Sequence, residues 1–394
     1  METYRSNDDT VEPPSLWRVF IAFIRLGLTA FGGPAMVAYI RKMAVEEKHW
    51  LNDEAFRNGV ALCQTIPGAT AIQLAGYVGL HTRGIRGGLA SFVGFAIPAF
   101  VLMTILSALY TRTHSLPLAV SAFTGLQAII VAIIGNAAVT FGKTYLRSWK
   151  SAIIALAAAV LFGFSIHPII VIIISGFIGL LIRVAQVAPA AVTVQPSKDK
   201  YYNIKIIVLM VSAALFFFLL YVFSNDIFAI AILMARIDLF AFGGGFASVP
   251  IMYHEFVDLR SWMDGPTFMD GIVLGQITPG PIYITATFVG YLLKGLPGAI
   301  FVTISAFLPS FIVLVSAAPI FDRLRTSITF NHIISGIFCS FVGLLLSVTL
   351  RFGANIHWNV ILIIMACAAF VALVKKVDIL WVVLVGAVLS VLVL

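Results

Sequence analysis

The chain carries one series of motifs twice. Around Arg25 it reads RLGLTAFGGPAMVAYI, and around Arg236, 211 residues later, it reads RIDLFAFGGGFASVPI. HWLNDEAFRNGVALCQTIPGA from His49 matches SWMDGPTFMDGIVLGQITPGP from Ser261, with Trp50 and Trp262 in register at an offset of 212. AIPAF around Pro98 matches FLPSF around Pro309, again at 211. Any two apolar stretches agree by chance in Leu and Val. They do not agree by chance in paired Gly, Gln, Trp and Pro, so the chain is built from two copies of one unit.

Both copies are made for lipid. The chain is 61% hydrophobic and 11% charged, with a mean hydropathy of +1.04, whereas soluble domains are about half apolar and a quarter charged. The apolar runs reach the roughly 20 residues a helix needs to cross a bilayer. The ten-residue alternation of a transmembrane β-barrel is missing. The expected class is an all-α polytopic membrane protein. Its opening METYRSNDDTVEPPSLW is polar and acidic, which reads as a cytosolic tail and not a cleaved signal. Cys63, Cys339 and Cys367 sit singly in apolar stretches, which argues against disulfides or a zinc site. The net charge of +8 is spread singly between apolar runs, as the positive-inside rule produces, and does not point to nucleic acid.

Each copy holds six apolar segments. In repeat 1 (17–185) they fall near 17–33, 55–80, 86–111, 118–141, 151–164 and 167–184. In repeat 2 (227–394) they fall near 227–243, 266–293, 297–320, 330–350, 357–374 and 378–394. Residues 1–16 form the tail, 186–203 a Pro-containing polar linker, and 204–224 one unpaired central helix. Six crossings return the chain to its starting side and a seventh delivers the second copy to the other side. The two repeats therefore have inverted topology, as in alternating-access carriers. With the N-terminus cytoplasmic, thirteen crossings place sixteen basic residues inside and seven outside. Re-entry of the first two segments of each repeat moves Arg41, Lys42, Lys48 and Arg57 inside and Arg260 outside, giving nineteen against four. Crossing and re-entry both stay open at this point.

The first two segments of each repeat are poor spanning helices. The first ends in FGGP (Phe31–Pro34) or FGGG (Phe242–Gly245), and the second is interrupted by QTIPG (Gln64–Gly68) or QITPG (Gln276–Gly280). Proline deletes a backbone donor and glycine loosens the ladder, so both break. Broken backbone at membrane depth belongs beside protein or a water-filled cavity. It exposes N–H groups and the positive dipole end of a half-helix, a ready anion site. Gly32, Gly33, Pro67, Gly68, Gly243, Gly244, Pro279 and Gly280 are therefore candidate binding positions. Gln64 and Gln276 can donate amide hydrogens without bringing a charge. Thr65, Thr70, Thr278, Thr285 and Ser248 add hydroxyls, with helix–helix hydrogen bonds as their structural alternative. Arg25 and Arg236 stand seven residues before their Gly pairs; a guanidinium fork suits tetrahedral oxyanions, against snorkelling to an interface. Asp238 matches Gly27 of the first copy. An intramembrane carboxylate is a coupling candidate; the alternative is a structural partner for a basic residue.

No GxxxxGK[ST] phosphate loop is present, HEFVD from His254 fails the HExxH zinc pattern, and no nucleophile elbow occurs. Nothing suggests an enzyme or a cofactor. FGGP, the tryptophan after it, QTIPG, and the counterparts FGGG and QITPGP resemble the repeated signatures of the chromate transporter family, in its long two-domain form. The resemblance spans residues 17 to 394. It implies thirteen segments in antiparallel arrangement and efflux of chromate from the bacterial inner membrane, driven by the membrane potential or protons, with chromate resistance as the outcome. Sulfate, of the same charge and shape, is the expected competitor and an alternative substrate. Partners are then the oxyanion, protons, the lipid bilayer and, as an open option, a second copy in a homodimer. An uncoupled anion channel is the rival of a different class.

Overall fold

The computed structural model describes residues 14–31, 35–184 and 202–394, all helix and connections, with no strand among them. Gly32 and Gly33, the 185–201 linker and the first thirteen residues lie outside the described residues. The first unit runs α1 (Leu16–Thr29), α2 (Ala35–Arg41) with a π-helical turn (Lys42–Glu47), α3 (Asp53–Thr65), α4 (Thr70–Thr113), α5 (Pro117–Tyr145), α6 (Trp149–Gly163) and α7 (Pro168–Leu181). The central helix is α8 (Tyr202–Phe223). The second unit runs α9 (Asn225–Phe240), α10 (Gly245–Tyr253) with a π-helical turn (His254–Leu259), α11 (Gly265–Ile277), α12 (Thr285–Ala317), a short α13 (Phe321–Thr326), α14 (Ile328–Ala354), α15 (Val360–Val374) and α16 (Ile379–Val393). The starts of α5, α6 and α7, at 117, 149 and 168, recur 211 residues on at 328, 360 and 379.

The second segment of each unit is not one broken helix but a hairpin. A Cβ placed on Gly59 of α3 would lie 2.3 Å from the Tyr77 ring of α4, so the two arms run back to back. Gly271 meets Phe288 in the same way at 2.4 Å. The tips lie at the proline–glycine pairs. Proline supplies no N–H, and Gly68 and Gly280 take φ of +118° and +115°, a region open to glycine and strained for side chains.

The returning arm then turns again. Arg83 and Gly84 (φ +62°) interrupt α4, and Lys294 and Gly295 (φ +61°) interrupt α12. Across that turn Gly79 and Gly87 touch backbone to backbone: a Cβ on Gly79 would sit 2.2 Å from the Gly87 carbonyl oxygen. Gly290 and Gly298 repeat the contact at 2.5 Å. In each unit, then, a long apolar arm follows two hairpins. α1 and α2 form the first hairpin, since Arg25 and Thr29 of one face Tyr39 and Met43 near the other across a groove. Among the described residues five stretches are long and apolar enough to span; α6, α7, α15 and α16 are apolar but shorter, at 14 or 15 residues each.

Contacts at the ends fix the inversion. Pro14, at the base of the first unit's hairpins, accepts a hydrogen bond from Arg83. The chain from there runs out along α4 and back along α5 to the start of α6, where Lys150 donates to the Ile182 carbonyl at 2.8 Å. The far end of α6 meets the second unit's hairpin base: Arg351 binds the Phe162 carbonyl at 2.6 Å and pairs with Asp258. Lys294 and Asp226 pair on the same side. The hairpins of the two units thus enter from opposite faces, and α8 carries the chain between them.

The units interleave. α14 lies between α6 and α7, and α5 between α15 and α16. Small residues permit this approach. A Cβ on Gly179 would come within 2.7 Å of the Gly336 Cα, and at the equivalent crossing Ser390 Oγ accepts the Gly125 N–H at 3.1 Å. The exposed leucines, isoleucines and phenylalanines of α8 face outward.

Candidate functional site

The hairpin tips meet at the centre of the molecule and bond reciprocally. Gly68 N–H donates to the Ala241 carbonyl, and Gly280 N–H donates to the Ala30 carbonyl, both at 3.1 Å. Each unit's proline–glycine tip is therefore tied to the end of the other unit's first helix. These carbonyls lack helical partners because α1 and α9 stop there, so the pairing satisfies both sides of two breaks.

Beside the tips lies a cavity of about 420 Å³. Gln64 and Thr70 come to it from the first unit, and Gly243, Gly244, Gln276, Thr278 and Gly280 from the second. α5 adds Asn136 and Thr140, one helical turn apart. None of the described residues around it is charged. α10 and α4 both begin at this cavity, and neither start has a side-chain cap. A Cβ on Gly244, the N-cap of α10, would stand 3.2 Å from Thr70 Oγ1, the first residue of α4, so the two helix starts adjoin. Their first-turn N–H groups and dipole ends favour an anion. Gln276 is 7% exposed and its Nε2 is buried without a hydrogen-bond partner, an arrangement rare enough to ask for an acceptor.

Other candidates take different places. Thr65 is buried and donates its hydroxyl to the Ala61 carbonyl at 2.7 Å; Ser248 is buried and donates to Gly245 at 2.6 Å. Both satisfy their own helices. Pro67, Gly68 and Pro279 build the tips and do not line the cavity. Arg25 is exposed on the separate groove between α1 and α2. Arg236 is paired with Glu255, a carboxylate with 0% side-chain exposure that also receives Arg260 and, at 2.9 Å, His167. Neither arginine reaches the cavity. For Glu255, burial pushes the carboxyl upward, but the His167 hydrogen bond and the Arg236 and Arg260 charges outweigh it and hold the group below its ordinary value.

Asp238 is 1% exposed and does not line the cavity. Its partner is not a basic residue. Its two oxygens accept the Ser310 N–H at 2.6 Å and the Ser310 hydroxyl at 2.8 Å. Pro309 interrupts the backbone ladder of α12 at this point. Ser310 Oγ in turn accepts the Ala69 N–H at 3.3 Å, and Gln73 Nε2 spans the Pro67 and Ser310 carbonyls at 2.6 and 3.3 Å. Where Asp238 stands, the first unit has Gly27 pressed on the Phe95 carbonyl, with no room for a side chain.

Asn136 and Thr140 escaped the sequence reading because they belong to no repeated motif. The usable signal was an asparagine and a threonine at i, i+4 within an apolar run. Asp270 also escaped it: a buried carboxylate bonded by Tyr110 and Gln127, both at 2.8 Å.

Inverted repeats with broken half-helices meeting at a polar central cavity define a membrane protein of the transporter class. The chain belongs to the chromate transporter family, whose profile matches it twice, over residues 17–180 and 228–391. It is 44% identical to an uncharacterized transporter of Methanocaldococcus jannaschii over 97% of this chain and 95% of that one. It is 30% identical to the chromate transport protein of Cupriavidus metallidurans over 78% of this chain and 75% of the relative. It is 28% identical to the chromate transport protein of Pseudomonas aeruginosa, over 89% and 85%. No solved structure matches it.

Proposed function

We propose that this protein is a secondary carrier that exports chromate across the inner membrane, N-terminus cytoplasmic, and so confers chromate resistance. The observation that carries the proposal is a cavity with amide and hydroxyl groups and two helix starts but, among the described residues, no charged side chain. A tetrahedral dianion finds donors there from both units, and the buried Nε2 of Gln276 gains the acceptor it lacks. Donors without full cations bind less tightly than an arginine fork, which suits a site that must release its cargo. An inside-negative potential drives a dianion outward by about 4.6 kcal/mol per 100 mV. The relatives named chromate transport proteins support the choice of substrate. Sulfate offers the same shape and charge and competes for the same donors.

Asp238 serves coupling in this proposal. Through Ser310 it reaches the Ala69 N–H, one residue before Thr70 at the cavity. Protonation that weakens the Asp238–Ser310 bonds is then felt at the start of α4. The test is uptake of labelled chromate into everted vesicles, with and without a proton gradient, together with counterflow in liposomes. Exchange of labelled for unlabelled chromate, competed by sulfate, is expected. Flux that shows no counterflow identifies an uncoupled channel, and sulfate exchange without chromate exchange identifies a sulfate carrier.

A further inference from the structure

The two units differ most where they are otherwise best matched. In the second unit, Arg236 of α9 and Arg260, just past the π-helical turn, converge on the Glu255 carboxylate. In the first unit the matching cations are Arg25 and Lys48, but the residue matching Glu255 is Met43. Arg25 and Lys48 line a groove of about 850 Å³ together with Arg18, Lys42, Trp17 and Trp50. Glu47 is the one acidic residue among the lining side chains, and it faces Lys42 at 4.0 Å. Arg18, Arg25 and Lys48 make no ion pair among the described residues. Asp378, which takes the place of His167 in the repeat, caps the start of α16 on the Leu380 N–H and does not line the groove. Among the described residues, the first unit thus keeps the cations of the clamp and lacks its anion.

We infer that the groove between α1 and the π-helical end of α2 binds the phosphate of an anionic phospholipid, which supplies from outside the chain what Glu255 supplies from within it. At about 850 Å³ the groove has the volume for a headgroup and the start of its chains, whereas a free tetrahedral oxyanion would leave most of it empty. Its walls join cations to aromatics, Trp17 being 67% exposed, as at a membrane–water interface. Basic pockets between membrane helices on the cytoplasmic side bind such headgroups, and with the first two segments of each repeat re-entrant the basic-residue count puts this face there. The inference stands apart from the transported substrate.

The test is lipid retention by the purified full chain, read by native mass spectrometry after exchange into phosphatidylcholine nanodiscs containing graded phosphatidylglycerol. The wild type is expected to retain phosphatidylglycerol selectively. The double substitution Arg25→Gln, Lys48→Gln is expected to weaken that retention about thirtyfold, from two basic contacts each worth roughly five- to sixfold. Met43→Glu rebuilds the second unit's clamp in the first and is expected to expel the lipid from a folded protein. Equal retention of both lipids by the wild type overturns the inference, as does full retention by both variants. Displacement of the lipid by millimolar sulfate or inorganic phosphate also overturns it, assigning the groove to a free oxyanion.

Discussion

Removing the Asp238 carboxylate separates its structural work from its proposed coupling role. Asp238→Ala deletes the acceptor of two hydrogen bonds at 2.6 and 2.8 Å in a site that is 1% exposed. The Ser310 hydroxyl can turn to a carbonyl one turn back. The Ser310 N–H, fixed to the backbone, cannot turn to another acceptor. An orphaned buried donor costs about 1–3 kcal/mol. Midpoints fall about 2–4 °C per kcal/mol for chains of 150–250 residues, and less for longer ones. Thermal unfolding in detergent should therefore show Asp238→Ala about 1–4 °C below wild type. Asp238→Asn keeps one oxygen for the N–H and should lose less than half as much. If coupling runs through the carboxylate, the Asn variant exchanges chromate in liposomes but no longer responds to a pH gradient. An Ala variant as stable as wild type would refute the role assigned to the Ser310 N–H. Normal proton-driven transport by a well-folded Asn variant would refute the coupling role.

Gln276→Leu removes a donor to a dianion, worth about 1.5–3 kcal/mol, so chromate affinity in counterflow should fall roughly 10–150-fold while the midpoint holds or rises. Glu255 has its carboxyl held below the ordinary value, so its contribution to stability is present above the ordinary carboxylate range and lost as pH falls through the lowered value. Wild type should lose more stability than Glu255→Gln when melted at pH 3 relative to pH 7, and equal losses would contradict this. Gly68→Ala forces a Cβ to 2.1 Å from Ser310 Oγ at a φ of +118°, and should lower the midpoint more than Gly84→Ala, where nothing lies within 4 Å. Cysteines replacing Lys48 and Lys294 should react with an impermeant maleimide from opposite sides of the membrane; labelling from one side would break the inverted arrangement.

Much of the fold was legible because the chain repeats its helix-breaking residues. Paired FGG and PG motifs mark backbone that cannot continue a helix, and Gln64, Gln276, Gly243, Gly244 and Gly280 come together at one cavity. The arginines did not follow, because spacing along a helix places residues on one face only while the helix runs straight. α1 stops at Thr29, and Arg25 faces away into the groove. The reversals at Gly84 and Gly295 fall in the gaps between apolar segments, at 80–86 and 293–297. That the chain folds back at Gly68 and Gly280, and does not merely break there, was hidden, because hydropathy registers composition and a short turn between two apolar arms leaves it unchanged. The partner of Asp238 was illegible because Ser310 lies 72 residues away and the repeat offers Ala99 and Gly27 in its place.

Interleaving sets a timetable for biosynthesis. α5 is complete at Tyr145, yet the helices that enclose it, α15 and α16, begin at Val360. At 5–20 residues per second the ribosome needs roughly 10–40 s to cover that distance. Throughout this interval the Gly125 N–H has no Ser390 hydroxyl, and until residue 241 is made the Gly68 N–H has no Ala241 carbonyl. The first unit must wait in the bilayer unfinished, its small-residue faces open to lipid and to any stray helix. A ribosome that stalls after α8 leaves a half-protein that nothing in its own sequence can close, and membrane proteases should clear it.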